Sequence, residues 1–110
     1  MTEAEAAEQL SALSHETRLK VFRALINAGP SGLPAGMLSE RLGVAPNTLS
    51  SHLTILLHAG LTQVRKDGRR RVYSADLEAT GAILRFLVAD CCGGRPEACD
   101  PVRAALVLER

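Results

Sequence analysis

Three cysteines, Cys91, Cys92 and Cys99, fall within nine residues and are the only thiols in a chain of 110. Thiolates are soft ligands and select soft ions. Gly93, Gly94 and Pro96 lie between them in a turn-forming stretch, able to bring the third thiol back to the adjacent pair. A structural zinc site wants four ligands, so this set is one short unless Asp90, Glu97 or Asp100 completes it. Three thiolates suit a trigonal, lone-pair-bearing centre such as arsenite or antimonite. A site using only two of them favours a methylated trivalent arsenical. An odd thiol count without a secretory leader argues for thiol or metal chemistry in a reducing, cytoplasmic compartment rather than a disulfide framework. Two other chemistries stay open: a redox switch in which Cys99 pairs with Cys91 or Cys92, and a thiol site for cadmium, lead or zinc. A thiol enzyme lacks support, because His15, His52 and His58 all precede residue 60 and no base stands near the thiols. No organic cofactor is expected.

A second set of residues points to nucleic acid. From Ala45 to Gly60 the pattern predicts one helix with two unlike faces. Leu49, Leu53, Leu56 and Leu57 fall at i, i+4, i+7 and i+8, an apolar stripe. Asn47, Thr48, Ser50, Ser51 and Thr54 occupy the other face, near the helix start, with His52 at its margin. A solvated helix face normally carries Glu and Lys. A short, neutral, hydroxyl-rich face suits close approach to phosphates and base edges instead. His52 has a rival role, bonding a backbone group as a structural histidine. Farther on, Arg65, Lys66, Arg69, Arg70 and Arg71 place five of the 13 basic residues in seven positions. Arg69, Arg70 and Arg71 suit phosphate contacts, and strand alternation would put Arg69 and Arg71 on one face and Arg70 on the other.

The elements that must hold these groups follow from period and punctuation. Thr2 to Leu13 reads as a helix with Ala6, Gln9, Leu10 and Leu13 at helical spacing and little apolar surface of its own. Ser14 is the expected N-cap of the next helix, His15 to Ala28, buried through Leu19, Phe22, Leu25 and Ile26. Residues 28–32 read as a loop. Pro34 opens a short helix, Ala35 to Leu42, with Met37, Leu38 and Leu42 inward and Gly43 ending it. A short helix, a Gly-containing turn and a second helix with a polar leading face form a helix-turn-helix. Two extended runs around Asp67-Gly68 then read as a β-hairpin, a basic wing beside the recognition helix. Leu77 to about Cys91 is expected to be a long helix, apolar nearly all round from Ala82 to Ala89. Such a helix wants burial on both sides, one against its own core and one against a second copy. Val102 to Leu108 is a short apolar tail with room for a turn of helix.

The fold class expected is therefore mainly α with a small β-hairpin: one winged helix-turn-helix domain over 1–110, with a thiol-bearing segment at 90–101. Aromatic residues are only 3% of the chain and Trp is absent, so its core must be aliphatic. A net charge of +1 says little about partners. No apolar run approaches the ~20 residues of a membrane span, so no membrane partner is expected. One recognition helix and one wing read too short a site for specificity. Two copies dimerising through their first and last long helices would read a near-palindrome in double-stranded operator DNA, with recognition helices ~34 Å apart.

Three segments in order carry a resemblance. They are Ala12-Leu13-Ser14-His15-Glu16-Thr17-Arg18-Leu19, Asn47-Thr48-Leu49-Ser50-Ser51-His52-Leu53 and Asp67-Gly68-Arg69-Arg70-Arg71-Val72-Tyr73. Together they resemble the ArsR-type metalloregulatory repressors over about residues 8 to 90. The resemblance implies a dimeric winged-helix repressor released from its operator by a thiophilic ion. Founding arsenic sensors of that family carry cysteines on the first helix of the helix-turn-helix. Here that segment, Met37 to Gly43, has none, and the His and Asp pairs of the zinc-sensing last helix are missing too. The Cys91-Cys92 pair with a later Cys99 is similar to another arsenite-responsive branch, and makes arsenite the expected inducer.

Overall fold

The computed structural model describes residues 1–89 and 100–106. Helix α1, Glu3–Leu13, starts at Thr2, whose hydroxyl accepts the Glu5 amide while the Glu5 carboxylate reaches back to the Thr2 amide. This capping box satisfies two donors that a helix start otherwise leaves open. Its buried residues are Ala6 and Ala12; Leu10 is 42% exposed. Helix α2, Glu16–Ala28, is capped by His15 rather than Ser14: the ring Nδ1 accepts the Thr17 amide at 3.1 Å. Ser14 is instead the C-cap of α1, its hydroxyl donating to the Ser11 carbonyl. The inward stripe of α2 is Val21, Phe22 and Leu25, not the expected set, since Leu19 and Ile26 face out. Phe22 and Leu25 are common to both stripes; packed against α3, α4 and β3, the helix turns Val21 inward in place of Leu19 and Ile26.

The region read as a loop holds a 3₁₀ turn, Gly29–Ser31, and a two-residue strand β1, Leu33–Pro34. The strand was not expected: two residues carry no alternation to read, and Pro34 looks like a helix opener, which it also is. Gly32, at φ +69, precedes it. A Cβ there would sit 2.2 Å from the Tyr73 carbonyl oxygen, so only glycine lets the two backbones approach. Helix α3, Ala35–Leu42, buries Leu38 while Met37 stays 39% exposed, against the inward position expected for it. Gly43 ends α3 in the left-handed region, and its amide bonds the Ser39 carbonyl. The turn delivers the chain to helix α4, Pro46–His58.

Strands β2, Thr62–Asp67, and β3, Arg70–Ala75, form the antiparallel hairpin, in register from Thr62↔Ala75 to Asp67↔Arg70. The two-residue turn is thus Gly68-Arg69. With β1 the sheet has three strands in the order β1-β3-β2, one more than the hairpin expected. Helix α5, Leu77–Val88, is capped by the Asp76 carboxylate on the Ala79 amide. It ends at Val88, short of the expected Cys91, and Ala89 has left helical geometry at ψ 138. Its Ile83 is buried, whereas Leu77, Leu84 and Leu87 lie exposed along one stripe. A further helix, α6, spans Asp100–Leu106.

The core gathers Val21, Leu25, Leu38, Leu49, Leu53, Leu56 and Leu61, each nearly or fully sealed from solvent. Leu49, Leu53 and Leu56 are the stripe of α4, packed toward α1, α2, α3 and β2. Leu53→Ala is expected to lower unfolding free energy by roughly 2–5 kcal/mol. Ile55→Ala, two residues on and 42% exposed, should cost under about 1 kcal/mol. Denaturant melts of both variants check this, and equal losses would contradict the assigned face.

Candidate nucleic-acid interface

Helix α4 presents its polar residues as anticipated. Asn47, Thr48, Ser50, Ser51 and Thr54 are all exposed, and Asn47, Ser51 and Thr54 share the ridge opposite the leucine stripe. Their hydroxyls are not equivalent. Thr54 Oγ1 donates to the Ser50 carbonyl at 2.9 Å, and Ser51 Oγ to the Asn47 carbonyl at 3.4 Å. These back-bonds use the donor and leave oxygen lone pairs outward. Among the described residues, the side chains of Asn47, Thr48 and Ser50 make no hydrogen bond and keep donor and acceptor capacity. The helix opens on Pro46 with no side-chain cap from Ala45. First-turn amides are therefore available to an anion.

His52 sits differently. It is half-buried, with its ring centroid 4.6 Å from that of His15. Arg18 Nη1 lies 3.3 Å from its Nδ1, while Arg18 Nε donates to the Ala12 carbonyl at 2.7 Å. Arginine can only donate, so Nδ1 of His52 accepts and the neutral ring carries its proton on Nε2. Burial lowers the His52 pKa, with His15 and Arg18 acting in the same direction. The structural role expected for His52 is a bond to a backbone group; its partner here is instead the Arg18 side chain, and the contact joins the end of α1, the start of α2 and the middle of α4. Arg18 is the participant that sequence reading missed. Its partner is 34 residues away, and no local pattern reports such a pairing.

The wing arginines stand in three environments. Arg69 is in the turn. Arg70 pairs with Asp67 at 3.0 Å, both side chains more than half exposed. Arg71, opposite Lys66 in the ladder, has no ion pair among the described residues. All three nevertheless border one open groove of about 600 Å³, closed on its far side by Pro34, Gly36, Met37 and Glu40 at the start of α3. A smaller cleft of about 170 Å³ adjoins it between α3, α4 and β3, with Ser50 and Arg71 among its walls. Recognition helix, α3 start and wing thus form one continuous surface. Cys91, Cys92 and Cys99 lie outside the described residues, as do Asp90 and Glu97. No group of metal-ligating side chains occurs among the described residues.

Residues 13–65 match the helix-turn-helix domain family. The regulator YgaV of Escherichia coli, named as an HTH-type transcriptional regulator, is 35% identical over 83 residues, 76% of this chain and 82% of its own. The solved structure of an ArsR-like transcriptional regulator from Rhodococcus superposes with a TM-score of 0.69 at 31% identity, covering 94% of this chain and 90% of that one. The chain belongs to the ArsR family of helix-turn-helix transcriptional regulators. Another relative, named as a candidate arsenical resistance operon repressor of Halobacterium salinarum, is 37% identical over 75 residues, 68% of this chain and 57% of its own. Within this winged helix-turn-helix fold, α3 and α4 form the helix-turn-helix and the β2-β3 hairpin is the wing. No helix among the described residues is long and apolar enough to cross a membrane.

The His52 geometry sets a pH dependence. A folded-state pKa below the ordinary imidazole value of about 6.5 means that the unfolded chain binds the proton more readily. The stabilisation is whole above about pH 6.5 and is lost as pH falls through the lowered value. NMR titration should place the His52 midpoint below about 6.5, and Arg18→Ala should move it upward. A midpoint at or above the ordinary value would contradict the Arg18 contact.

Proposed function

We propose that the protein is a homodimeric repressor that holds operator DNA through α4 and the wing and releases it when a trivalent arsenical binds Cys91, Cys92 and Cys99. The observation carrying this reading is the placement of the chain's only thiols directly after α5, a helix with an uncovered apolar stripe. Leu77, Leu84 and Leu87 on α5, with Leu10 on α1, are 42–54% exposed, and α1 packs against α5. That stripe suits a twofold contact with a second copy. Binding at thiols beside such a contact has a physical route to subunit orientation, and from there to the spacing of two recognition helices. The arsenical ligand is supported by the soft, three-thiolate donor set and by the name of the Halobacterium relative.

In this reading Asn47, Thr48, Ser50, Ser51 and Thr54 face base edges and nearby phosphates, His52 orients the helix, and Arg69, Arg70 and Arg71 meet the backbone. Arg69→Gln is expected to weaken all duplexes alike and to lower the slope of log affinity on log salt by about 0.9. Arg70→Gln should change it less, because Asp67 already offsets that charge.

Operator release by arsenite under full reduction tests the sensing half. Wild type should release its duplex, and Cys91→Ser, Cys92→Ser and Cys99→Ser should each blunt the response while leaving DNA affinity intact. A coupling of ~1–3 kcal/mol between inducer and DNA corresponds to a roughly 5- to 150-fold change in affinity. Release by peroxide but not by arsenite would replace this reading with a redox switch. Response in Cys99→Ser to a methylated arsenical alone would assign a two-thiol site.

A further inference from the structure

We propose that the small cleft between α3, the start of α4 and β3 is a built seat for one phosphodiester of the DNA backbone, with the Tyr73 hydroxyl as its least exposed ligand. The proposal rests on the DNA-binding reading above and specifies one of its contacts. The cleft is lined by Ala35, Gly36, Ser39, Ser50, Arg71 and Tyr73, among others. Tyr73 is 8% exposed, and its hydroxyl makes no hydrogen bond among the described residues although it is not fully sealed. A buried phenol ordinarily finds a partner for its O–H. Tyr73 lines the cleft, and its donor is unused among the described residues.

A second, independent feature meets it there. Helix α3 begins after Pro34, which supplies no side-chain cap to its first turn, and Ala35 and Gly36 line the cleft there. Arg71 lies two residues before Tyr73 on β3 and so shares its face of the strand. Ser50 approaches from the recognition helix. Beside the apolar side chains of Pro46, Leu49 and Leu53, the wall offers a guanidinium, a phenol and a serine hydroxyl around the start of α3, and no carboxylate. Such a set wants an anion with several acceptor oxygens. A volume of about 170 Å³ is small for a drug-sized ligand, whose pockets run from ~300 Å³ upward, and ample for a phosphate group. Its position between recognition helix and wing selects the backbone phosphate flanking the groove that α4 enters. The larger groove beside it differs in carrying the Glu40 carboxylate on its rim.

The test uses the full chain and a duplex selected by wild type from a random-sequence pool. Tyr73→Phe removes only the hydroxyl and should weaken binding roughly 10- to 150-fold, as loss of a hydrogen bond to a charged group does. Because no charge is lost, the salt slope should not change, whereas Arg71→Gln should lower it by about 0.9. A series of duplexes, each with one neutral methylphosphonate, then locates the contact. At one position per half-site the effects of the methylphosphonate and Tyr73→Phe should be non-additive, and at every other position additive. Ser50→Ala should couple to that same position, which keeps the test usable if Tyr73→Phe melts far below wild type. Wild-type affinity in Tyr73→Phe, or additivity at every position, overturns the proposal. Protection of the cleft by inorganic phosphate with no coupling along the duplex likewise overturns it, in favour of a free-anion site. Failure of wild type to bind any duplex with salt-dependent affinity would instead bring down the DNA-binding reading itself.

Discussion

Burial of one face of α4 is the constraint on which the remaining structure depends. Leu49, Leu53 and Leu56 are each at most 1% exposed, and α1, α2, α3 and β2 all pack against the helix that carries them. Burying a leucine side chain contributes about 1.5–3 kcal/mol, an upper estimate because the unfolded chain hides some surface already. Three such anchors in less than three turns leave α4 one rotational setting. The same setting turns Asn47, Ser51 and Thr54 outward. A reading face that spends no side chain on packing can be neutral and short, because its orientation is held from behind.

The interface divides its work by chemistry. Helix α4 offers hydroxyls and an amide, and two of its hydroxyls are tied to backbone carbonyls so that they present oxygens. The wing brings charge, and Asp67 tempers Arg70 but not Arg69 or Arg71. With a net charge of only +1, attraction to DNA has to be local. Screening over a Debye length of ~8 Å makes the position of each arginine matter more than the total. The three-stranded sheet fixes that position, because β1 ties β3 to the start of α3 and so holds the wing beside the helix-turn-helix.

Helix α1 looks dispensable by its thin apolar content, yet it lies against α2, α4 and α5 together. Gln9 donates from its side chain to the Ala59 carbonyl just past the end of α4, and the Ala12 carbonyl receives Arg18. Arg18 in turn meets His52 in the middle of α4. Under the proposed response, these are the polar links by which a shift of the α1-α5 face would be felt at the middle and the far end of the recognition helix.

Much of this was written in local pattern. The α4 stripe, the αL ending at Gly43, the Asp-Gly wing and the exposed polar face all follow from spacing of a few residues, since helix and hairpin geometry repeat over that distance. Tertiary structure decided what such spacing does not encode. It kept Phe22 and Leu25 in the buried face of α2 but put Val21 there in place of Leu19 and Ile26, because an amphipathic helix with apolar residues on several sides has no unique inward phase until its neighbours are in place. It made His15 a cap and His52 a partner of Arg18, and it recruited Leu33 and Pro34 into a strand whose reason is the backbone of Tyr73. It also brought Tyr73, Arg71 and the start of α3 around one cleft. Period and propensity specify elements one at a time, whereas a cleft among three of them exists only once the core has set their mutual angles.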